Sequence, residues 1–436
     1  MNPTTEILKR TVDAGRRWKI PAWAGTILLL AILPAAQAQT FNVIYNFAGG
    51  RTGANPNVGV TLDNSGNLYG TTYNGGNGYG TAFKLSPKNG SWFLTPLYSF
   101  KGQPDNDGAG PDSPIVIGRD GSLYGSTISG GPFTYCQIFG GYQGCGTVYN
   151  LRPHPTIQPS PFSPWLETQI YQFTLEPDGA YPRNNIAVDA EGNMYGTGAN
   201  GGNFLGVVWQ LSPSNGGWVE DPIYTFTNID GPGGGVPESG IVLGSDGDLY
   251  GTNSEYGHDD NGCCGTVFQL MKSGSSWTGN VLYDFTGGAD GETPYAGVIE
   301  DAAGNLYGAT TTGGVNNGGT VYELSPNGQG GYNFQTIYSF TGSAGLATGP
   351  FANLVLDSAG NLYGTTYLDG RYGWGSVFKL TPANGSWTYT SLHDFSGGLD
   401  GASPRCSLVF DHSGNLYGTT NIGGANGLGV VFEITP

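Results

Sequence analysis

A tripeptide of leucine or methionine, then tyrosine, then glycine recurs seven times along this chain of 436 residues. Its tyrosines are Tyr69, Tyr124, Tyr195, Tyr250, Tyr307, Tyr363 and Tyr417. A proline always stands twelve residues before the triplet, and a glycine always stands eight residues after its first residue. Catalytic groups are placed singly in a protein, so a set that recurs in every unit indicates a building part of the fold.

Each unit predicts four short strands. In one unit their sequences are ANLVLD (352–357), NLYGTT (361–366), GSVFKL (375–380) and SWTYTSLHDF (386–395). The β-branched and aromatic residues, bounded by Gly, Pro, Asn and Asp, are typical of strands joined by tight turns. Seven such units favour a seven-bladed β-propeller, with a β-solenoid as the rival architecture.

The two ends of the repeat region discriminate between these architectures. Residues 41–47, FNVIYNF, have the sequence of a fourth strand, but no other strand of a unit precedes them. The chain ends in GVVFEITP, a third-strand sequence with no fourth strand after it. We therefore expect strand 41–47 to pair with the last blade and close a ring. Residues 39–436 are predicted to form a single all-β domain, a seven-bladed β-propeller of four-stranded antiparallel blades.

Residues 1–38 predict a cleaved signal peptide. Five cationic residues between positions 9 and 19 precede an apolar run at 22–36 and a small-residue cleavage site that ends at Ala38. The apolar run is shorter than the roughly 20 residues of a membrane-spanning helix. We expect an exported protein, extracellular, periplasmic or at the cell surface, with no transmembrane segment in the mature chain.

Charge excludes one class of partner. The whole chain has 16 Lys and Arg against 33 Asp and Glu, and residues 1–38 hold 5 and 2 of these. The mature net charge is therefore (16 − 5) − (33 − 2) = −20. DNA and RNA would be repelled over most of such a surface, so we expect no nucleic acid partner. We also expect the mature protein to be a monomer.

The repeat resembles a known family. The pattern D-x-x-G-N-L-Y-G-T-T, followed by G-G and G-T-V-F-x-L, is similar to the GloVer tandem-repeat family of exported bacterial proteins. The likeness spans residues 41–436 and recurs seven times. It implies a propeller-like repeat fold whose function is not established, and it supplies no catalytic residues. Members commonly carry an anchoring tail after the repeats, and its absence after Pro436 leads us to expect release.

Five cysteines are present. In an exported protein they are able to form disulfides. Cys136 and Cys145 flank a long loop of the second unit, and we predict a disulfide between them. The pairing of Cys263, Cys264 and Cys406 stays open.

The residue after each fixed proline is the candidate ligand-binding position. It varies among the units, and only arginine occurs there twice: Asn57, Asp112, Arg183, Glu238, Tyr295, Phe351 and Arg405. These positions should begin the innermost strands and ring one mouth of the central channel. We predict that Arg183 and Arg405 hold an acidic or polyhydroxyl group while Tyr295 and Phe351 stack on it. The alternative is that these exposed strand starts vary freely.

Two clusters raise the question of a metal. Asp-Gly pairs at Asp107, Asp178, Asp290 and Asp400 are turn formers, and their alternative role is to bind Ca²⁺. The fourth unit holds the ligand types Glu255, His258, Asp259 and Asp260 beside Cys263 and Cys264, against the alternative of a solvated loop. Apart from Ca²⁺, no cofactor is predicted.

These observations favour a secreted or surface-associated binding module without catalysis, whose partner is an extracellular glycan or protein. The alternative function is an extracellular hydrolase or lyase that acts on a glycan or lactone at the channel mouth. The four histidines fall in four different contexts and suggest no Ser-His-Asp arrangement. A constellation of ionisable groups at one mouth would distinguish the two functions.

Overall fold

The architecture is a ring of seven antiparallel sheets. The computed structural model describes residues 39–136, 143–155, 165–202, 205–227, 234–257, 263–342 and 347–435, so the predicted signal peptide at 1–38 lies outside the described residues. Each sheet carries one Leu/Met-Tyr-Gly triplet, and six of the sheets have four strands while one has five. The helical elements of these residues are two short 3-10 turns, at Gly50–Thr52 and Gln103–Asp105, and none could span a bilayer. The predicted seven-bladed all-β propeller is confirmed.

The strands follow the sequence order of the units. Blade 7 takes the first strand of the chain, β1 (Thr40–Asn46). Blade 1 contains β2 (Thr61–Leu62), β3 (Leu68–Thr72), β4 (Thr81–Lys88) and β5 (Ser91–Ser99). Blade 2 contains β6 (Gly108–Pro111), β7 (Val116–Ile117), β8 (Leu123–Gly130), β9 (Thr147–Pro153) and β10 (Trp165–Gln172). Blade 3 contains β11 (Ala180–Val188), β12 (Met194–Asn200), β13 (Val207–Ser214) and β14 (Gly217–Thr225).

The remaining blades repeat this plan. Blade 4 contains β15 (Val242–Leu243), β16 (Leu249–Asn253), β17 (Thr266–Ser273) and β18 (Ser276–Asp284). Blade 5 contains β19 (Ile299–Glu300), β20 (Leu306–Thr310), β21 (Asn317–Pro326) and β22 (Tyr332–Thr341). Blade 6 contains β23 (Val355–Leu356), β24 (Leu362–Thr366), β25 (Ser376–Ala383) and β26 (Ser386–Asp394). Blade 7 contains β27 (Val409–Phe410), β28 (Leu416–Thr420) and β29 (Val430–Thr435), with β1 as its outer strand.

The ring closes as the sequence predicts. Strand β1 pairs antiparallel with β29, from Thr40 opposite Thr435 to Asn46 opposite Val430. The observed strand begins and ends one residue earlier than the predicted strand 41–47. The last blade is thus assembled from the two ends of the described chain.

The triplet forms the contact between blades. The Tyr of one blade and the Leu of the next share a buried cluster, as Tyr69 of blade 1 and Leu123 of blade 2 do. Six further clusters repeat this pairing, and the one that joins Tyr417 of blade 7 to Leu68 of blade 1 completes the circle. The triplet glycine makes room for an aromatic ring on the third strand, since a Cβ on Gly70 would lie 2.6 Å from Cζ of Phe83. Each residue of the triplet therefore has its own packing role.

The fixed proline also belongs to a contact between blades. A Cβ on Gly146 of blade 2 would lie 2.5 Å from Cδ of Pro182 in blade 3. Beside it, the carbonyl of Cys145 accepts a hydrogen bond of 2.8 Å from the backbone N–H of Tyr181. The same close approach of glycine and proline occurs at further junctions: Gly80–Pro111, Gly206–Pro237, Gly265–Pro294, Gly375–Pro404 and Gly429–Pro56. The proline and this glycine recur together because the proline ring occupies the space in which a Cβ of any other residue at the glycine position would lie.

The innermost strands are shorter than the sequence suggests. The predicted strand ANLVLD of blade 6 retains ladder pairing only at Val355–Leu356. In several blades the residue before the proline has a positive φ, as in Asn55 (56°) and Thr293 (57°), and proline donates no hydrogen bond. In most blades the residue after the proline precedes the inner strand. Blade 3 is the exception, since Arg183 lies within β11.

In five blades the turn before the triplet is held by an aspartate. The carboxylate of Asp357 accepts hydrogen bonds from the backbone N–H groups of Ala359 and Asn361, both at 2.9 Å, and from the hydroxyl of Tyr363 at 3.0 Å. Burial alone would raise the pKa of Asp357, but these hydrogen bonds and the Asn361 amide more than offset it, so the pKa is lowered. The same bonds recur at Asp63, Asp189, Asp301 and Asp411. The side chain of the turn aspartate thus holds the hydroxyl of the triplet tyrosine.

A second row of contacts runs along the outer strands. Each outer strand carries a Tyr or His near its end. In several blades, the side chain four residues before it packs on the outer-strand Tyr or His of the preceding blade. Phe334 stacks on Tyr283 at 3.9 Å, and Phe41 stacks on His393 at 3.6 Å. Blades 2 and 3 place Glu167 and Glu220 at this position. Burial, reinforced by the carboxylates of Asp107 and Asp178 respectively, raises the pKa of each glutamate to about 8.

The closure of the ring gives the first prediction. A mature chain that starts at Ala48 lacks β1 and leaves the apolar edge of β29 unpaired, which favours aggregation. We expect this chain to be insoluble, or to melt well below a chain that starts at Gln39, in thermal unfolding followed by circular dichroism. Equal melting temperatures for the two chains would refute closure by β1.

The two half-buried glutamates, Glu167 and Glu220, predict a dependence of stability on pH. Their folded pKa of about 8 lies above the ordinary 4.5, so the stabilisation is present below pH 4.5 and is lost as the pH rises through 8. Glu167→Gln and Glu220→Gln should each raise the melting temperature relative to the wild type at pH 8 more than at pH 5. The exposed Glu176→Gln serves as control, and an equal effect at both pH values would contradict the prediction.

Candidate functional site

The seven predicted ligand-binding residues line one cavity. Its volume is about 380 Å³, and Asn184 and Ala347 complete the lining. The set is Asn57, Asp112, Arg183, Glu238, Tyr295, Phe351 and Arg405. An overlapping cavity of about 550 Å³ shares five of these residues. The structure therefore brings together every position that the comparison of repeats selected, while ligand binding there stays a prediction.

The polar half of the ring comes from blades 1 to 4. The guanidinium of Arg183 lies 3.8 Å from the carboxylate of Asp112 and 3.7 Å from that of Glu238. The amide of Asn57 donates a hydrogen bond of 2.6 Å to Asp112. These contacts follow the order of the blades around the ring, so Arg183 stands between two anions.

Burial shapes the electrostatics of this half. It raises the pKa of both Asp112 and Glu238, and Arg183 offsets only part of the effect. Burial alone would lower the pKa of Arg183, but the carboxylates of Glu238 and Asp112 reverse the direction and raise it. Arg183 therefore stays cationic, and its charge is balanced by protein carboxylates.

The other half of the ring, from blades 5 to 7, is aromatic and cationic. Tyr295 and Phe351 stack with ring centroids 5.2 Å apart and planes inclined by 18°. The Cζ atom of Arg405 lies 4.9 Å from the centroid of Phe351 and 4.4 Å from that of Tyr367. Burial, with the charge of Glu238 as second cause, raises the pKa of Tyr295 to about 12, so this hydroxyl stays protonated at neutral pH.

Arg405 differs from Arg183 in its partners. Within the described part of the chain, no carboxylate oxygen lies within 4.0 Å of the Arg405 guanidinium. Its Nε atom is buried and has no hydrogen-bond partner there. The sequence alone predicted equal roles for the two arginines, and the structure distinguishes them. Arg405 has the charge and the unused donors that an anion would need.

Tyr367, which contacts the cavity residues Phe351 and Arg405, is a residue that the sequence analysis missed. It follows the second strand of blade 6, and its ring meets Phe351 edge-on at 5.1 Å. The sequence does contain a signal for it, because this position also varies among the repeats: Tyr73, Ile128, Ala199, Ser254, Thr311, Tyr367 and Asn421. Four of these residues line the cavity of about 550 Å³. A comparison of the repeats at this position would have identified this second set of variable residues.

The Asp-Gly carboxylates are occupied by donors of the protein. Asp107 accepts hydrogen bonds from the hydroxyl of Tyr98 at 2.8 Å and from two backbone N–H groups. Asp178, Asp290 and Asp400 have the corresponding contacts with an outer-strand Tyr or His and with a backbone N–H. These contacts support the turn-forming interpretation, and Ca²⁺ at these positions would have to displace the donors.

Only one of the four metal-ligand candidates lies in the described chain. Glu255 pairs through its backbone with Gly235, while His258, Asp259 and Asp260 lie outside the described residues. The adjacent Cys263 and Cys264 are joined to each other in a disulfide, and a carboxylate oxygen of Glu292 lies within 4.8 Å of their sulfur atoms. The proposed metal site at this loop stays a prediction.

The predicted disulfide of blade 2 is present. Cys136 and Cys145 are bonded, with their Cα atoms 5.0 Å apart. Cys145 and Cys264 both precede the recurring glycine before a third strand, and their carbonyls accept hydrogen bonds from the next blade. Each disulfide therefore attaches directly to a contact between blades. Cys406 is the free cysteine, and it is buried.

The sequence matches one family over most of its length. A profile of the Gloeobacter/Verrucomicrobia repeat matches residues 24–140, 139–349 and 329–436. This match confirms the family resemblance inferred from the repeat motif. No curated protein matches the sequence significantly.

Solved structures resemble the chain in fold. An ancestral GH74 enzyme aligns with a TM-score of 0.54 at 14% identity, over 88% of this chain and 48% of that one. A putative oxidoreductase (glucose dehydrogenase) of Thermus thermophilus aligns at 0.43 and 15% identity, over 74% of this chain and 96% of that one. A putative gluconolactonase aligns at 0.38 and 15% identity, over 91% and 92% respectively. At these identities the likeness concerns the fold alone.

The disulfides predict a thiol count. After denaturation without reductant, the mature protein should show one reactive thiol per chain, that of Cys406, because the other four cysteines are paired. A thiol-reactive dye measures this number, and prior reduction should raise it to five. Three thiols without reductant would contradict one of the two pairings, and peptide mass spectrometry would identify which.

Proposed function

This chain belongs to the Gloeobacter/Verrucomicrobia repeat family, and we propose that it is an exported, non-catalytic binding protein for a carboxylate-bearing glycan. The central cavity takes one sugar unit of the ligand. The observation that carries this proposal is Arg405, a cation that lies on two aromatic rings and has no carboxylate partner among the described residues. The two disulfides support export, because such bonds persist in oxidising compartments.

Because the net charge of the protein is negative, an acidic ligand depends on a local cation such as Arg405. The chain carries a net charge of −17, so long-range attraction would not draw an anion to its surface. An acidic ligand therefore needs a local cation, and Arg183 is already neutralised by Asp112 and Glu238. Arg405 offers donors in a fixed plane, which suits the two oxygens of a carboxylate.

The cavity suits a sugar better than a protein segment. A volume of about 380 Å³ accommodates one or two sugar units and no folded element. The rings of Tyr295 and Phe351 offer apolar surface for the C–H face of a sugar. Asn57, Asp112 and Glu238 offer amide and carboxylate groups for its hydroxyls. One site thus combines a carboxylate anchor, a stacking surface and polar partners.

One observation favours the second candidate function, a hydrolase or lyase that acts on a glycan or lactone. Asp112 and Glu238 face the same cavity, and burial raises the pKa of both, as a general acid requires. Both carboxylates, however, are engaged by Arg183. Incubation with acidic oligosaccharides, followed by assays for new reducing ends and unsaturated products, distinguishes the functions. Turnover that Glu238→Gln abolishes would establish the enzyme.

The binding proposal predicts a difference between the two arginines. Arg405→Gln should weaken the binding of galacturonate by about tenfold or more in calorimetry, with an unchanged melting temperature, because a charge-assisted contact is lost. Arg183→Gln should lower the melting temperature, because it leaves two buried carboxylates unpaired. Galactose serves as the neutral ligand and exposed Arg152→Gln as the control variant. Unchanged affinity in Arg405→Gln would refute the site.

A further inference from the structure

Large apolar side chains are exposed together at the junction of blades 6 and 7. Tyr372 is 52% exposed, Trp374 is 42% exposed and Leu399 is 74% exposed. Tyr372 and Trp374 lie between β24 and β25, and Leu399 lies in the loop that follows β26. The ring of Trp374 covers the backbone at Gly397, where a Cβ would lie 2.7 Å from its Cδ1. Single exposed apolar residues are common, but a group at one place indicates a contact surface.

One loop connects this exposed group to the central cavity. Residues 367–374 begin at Tyr367, whose ring lies under Arg405, and end at Trp374. The carbonyl of Trp374 accepts a hydrogen bond of 2.8 Å from the backbone N–H of Ser403, two residues before Arg405. The loop therefore runs from the cavity to the outer rim of the same junction between blades.

The rim repeats the chemistry of the cavity. The Cζ atom of Arg371 lies 5.4 Å from the ring centroid of Tyr372, as Arg405 lies over Phe351 and Tyr367. The carboxylate of Asp394 accepts a hydrogen bond of 3.2 Å from the backbone N–H of Arg371. Within the described ranges, however, no carboxylate oxygen lies within 4.0 Å of the Arg371 guanidinium. In an acidic protein, one arginine with aromatic partners thus lies over the first residue of this loop, and a second lies within the loop.

We propose that Arg371, Tyr372 and Trp374 form a second subsite for the next sugars of the same ligand, which is a polysaccharide with a carboxylate on each unit. The proposal rests on the binding function proposed above and names its ligand class. Arg405 holds the carboxylate of the sugar in the cavity, and Arg371 holds one farther along the chain. Tyr372 and Trp374, which are partly exposed to water, stack on the faces of these sugars. Charge complementarity at two points selects a polyuronate over a neutral glycan.

The test compares a polymer with its monomer. Wild-type protein should bind polygalacturonate at least about tenfold more tightly than galacturonate, because the second subsite adds a linked contact. Arg371→Ala and Tyr372→Ala should each weaken polygalacturonate binding by about fivefold and leave galacturonate binding unchanged. Arg119→Ala, an exposed arginine in the turn before the triplet of blade 2, is the matched control and should change neither affinity. Equal melting temperatures will exclude a folding defect.

Each contrary result has a definite meaning. If the wild type binds neither galacturonate nor polygalacturonate, the proposed function fails and the second subsite fails with it. If Arg405→Gln weakens both ligands but Arg371→Ala and Tyr372→Ala leave polymer binding unchanged, only the second subsite is refuted. If poly-glutamate binds as tightly as polygalacturonate with the same sensitivity to Tyr372→Ala, the surface recognises an acidic peptide and the glycan assignment is refuted.

Discussion

The contact between the triplet tyrosine of one blade and the triplet leucine or methionine of the next is the interaction on which the structure depends. A four-stranded blade buries apolar side chains on both faces, so it needs a neighbour on each side. Seven such contacts close a circle only if the last blade meets the first, as Tyr417 meets Leu68. The blade count, the position of β1 and the central cavity all follow from this requirement. The glycine and proline that approach each other closely at six of the seven junctions help to fix the spacing at which the contact forms.

Much of this was predictable because it is periodic. Seven copies of a motif reveal which residues the fold requires, and the incomplete units at the two ends of the repeat region predict closure. The length of the inner strands was not predictable in the same way. In blade 6 only Val355 and Leu356 keep their ladder, and in several blades the residue before the proline, such as Asn55, has a positive φ. A backbone angle of this kind at a non-glycine residue has no clear mark in one sequence.

For the candidate site, the sequence predicted the positions of the residues but not their contacts. Variation among the repeats identified the seven cavity residues, because the fold places equivalent positions on one ring. It did not assign their partners, which depend on side-chain reach across the cavity. The order of the blades, however, already contains most of the answer. Asp112, Arg183 and Glu238 come from three successive blades and form two ion pairs, whereas Arg405 follows Tyr295 and Phe351 around the ring. Tyr367 belongs to a second variable layer that required its own comparison.

Closure by β1 also sets a temporal order. Thr40 pairs with Thr435, so the first strand of the ring finds its partner only after nearly the whole repeat region has been synthesised. Until then Phe41 has neither its place against Phe432 nor its stack on His393. Contacts between residues so far apart in the chain form slowly, and an exposed strand can pair with another chain in the meantime. We therefore expect closure of the ring to be a late step of folding, before which β1 is open to pairing with other chains.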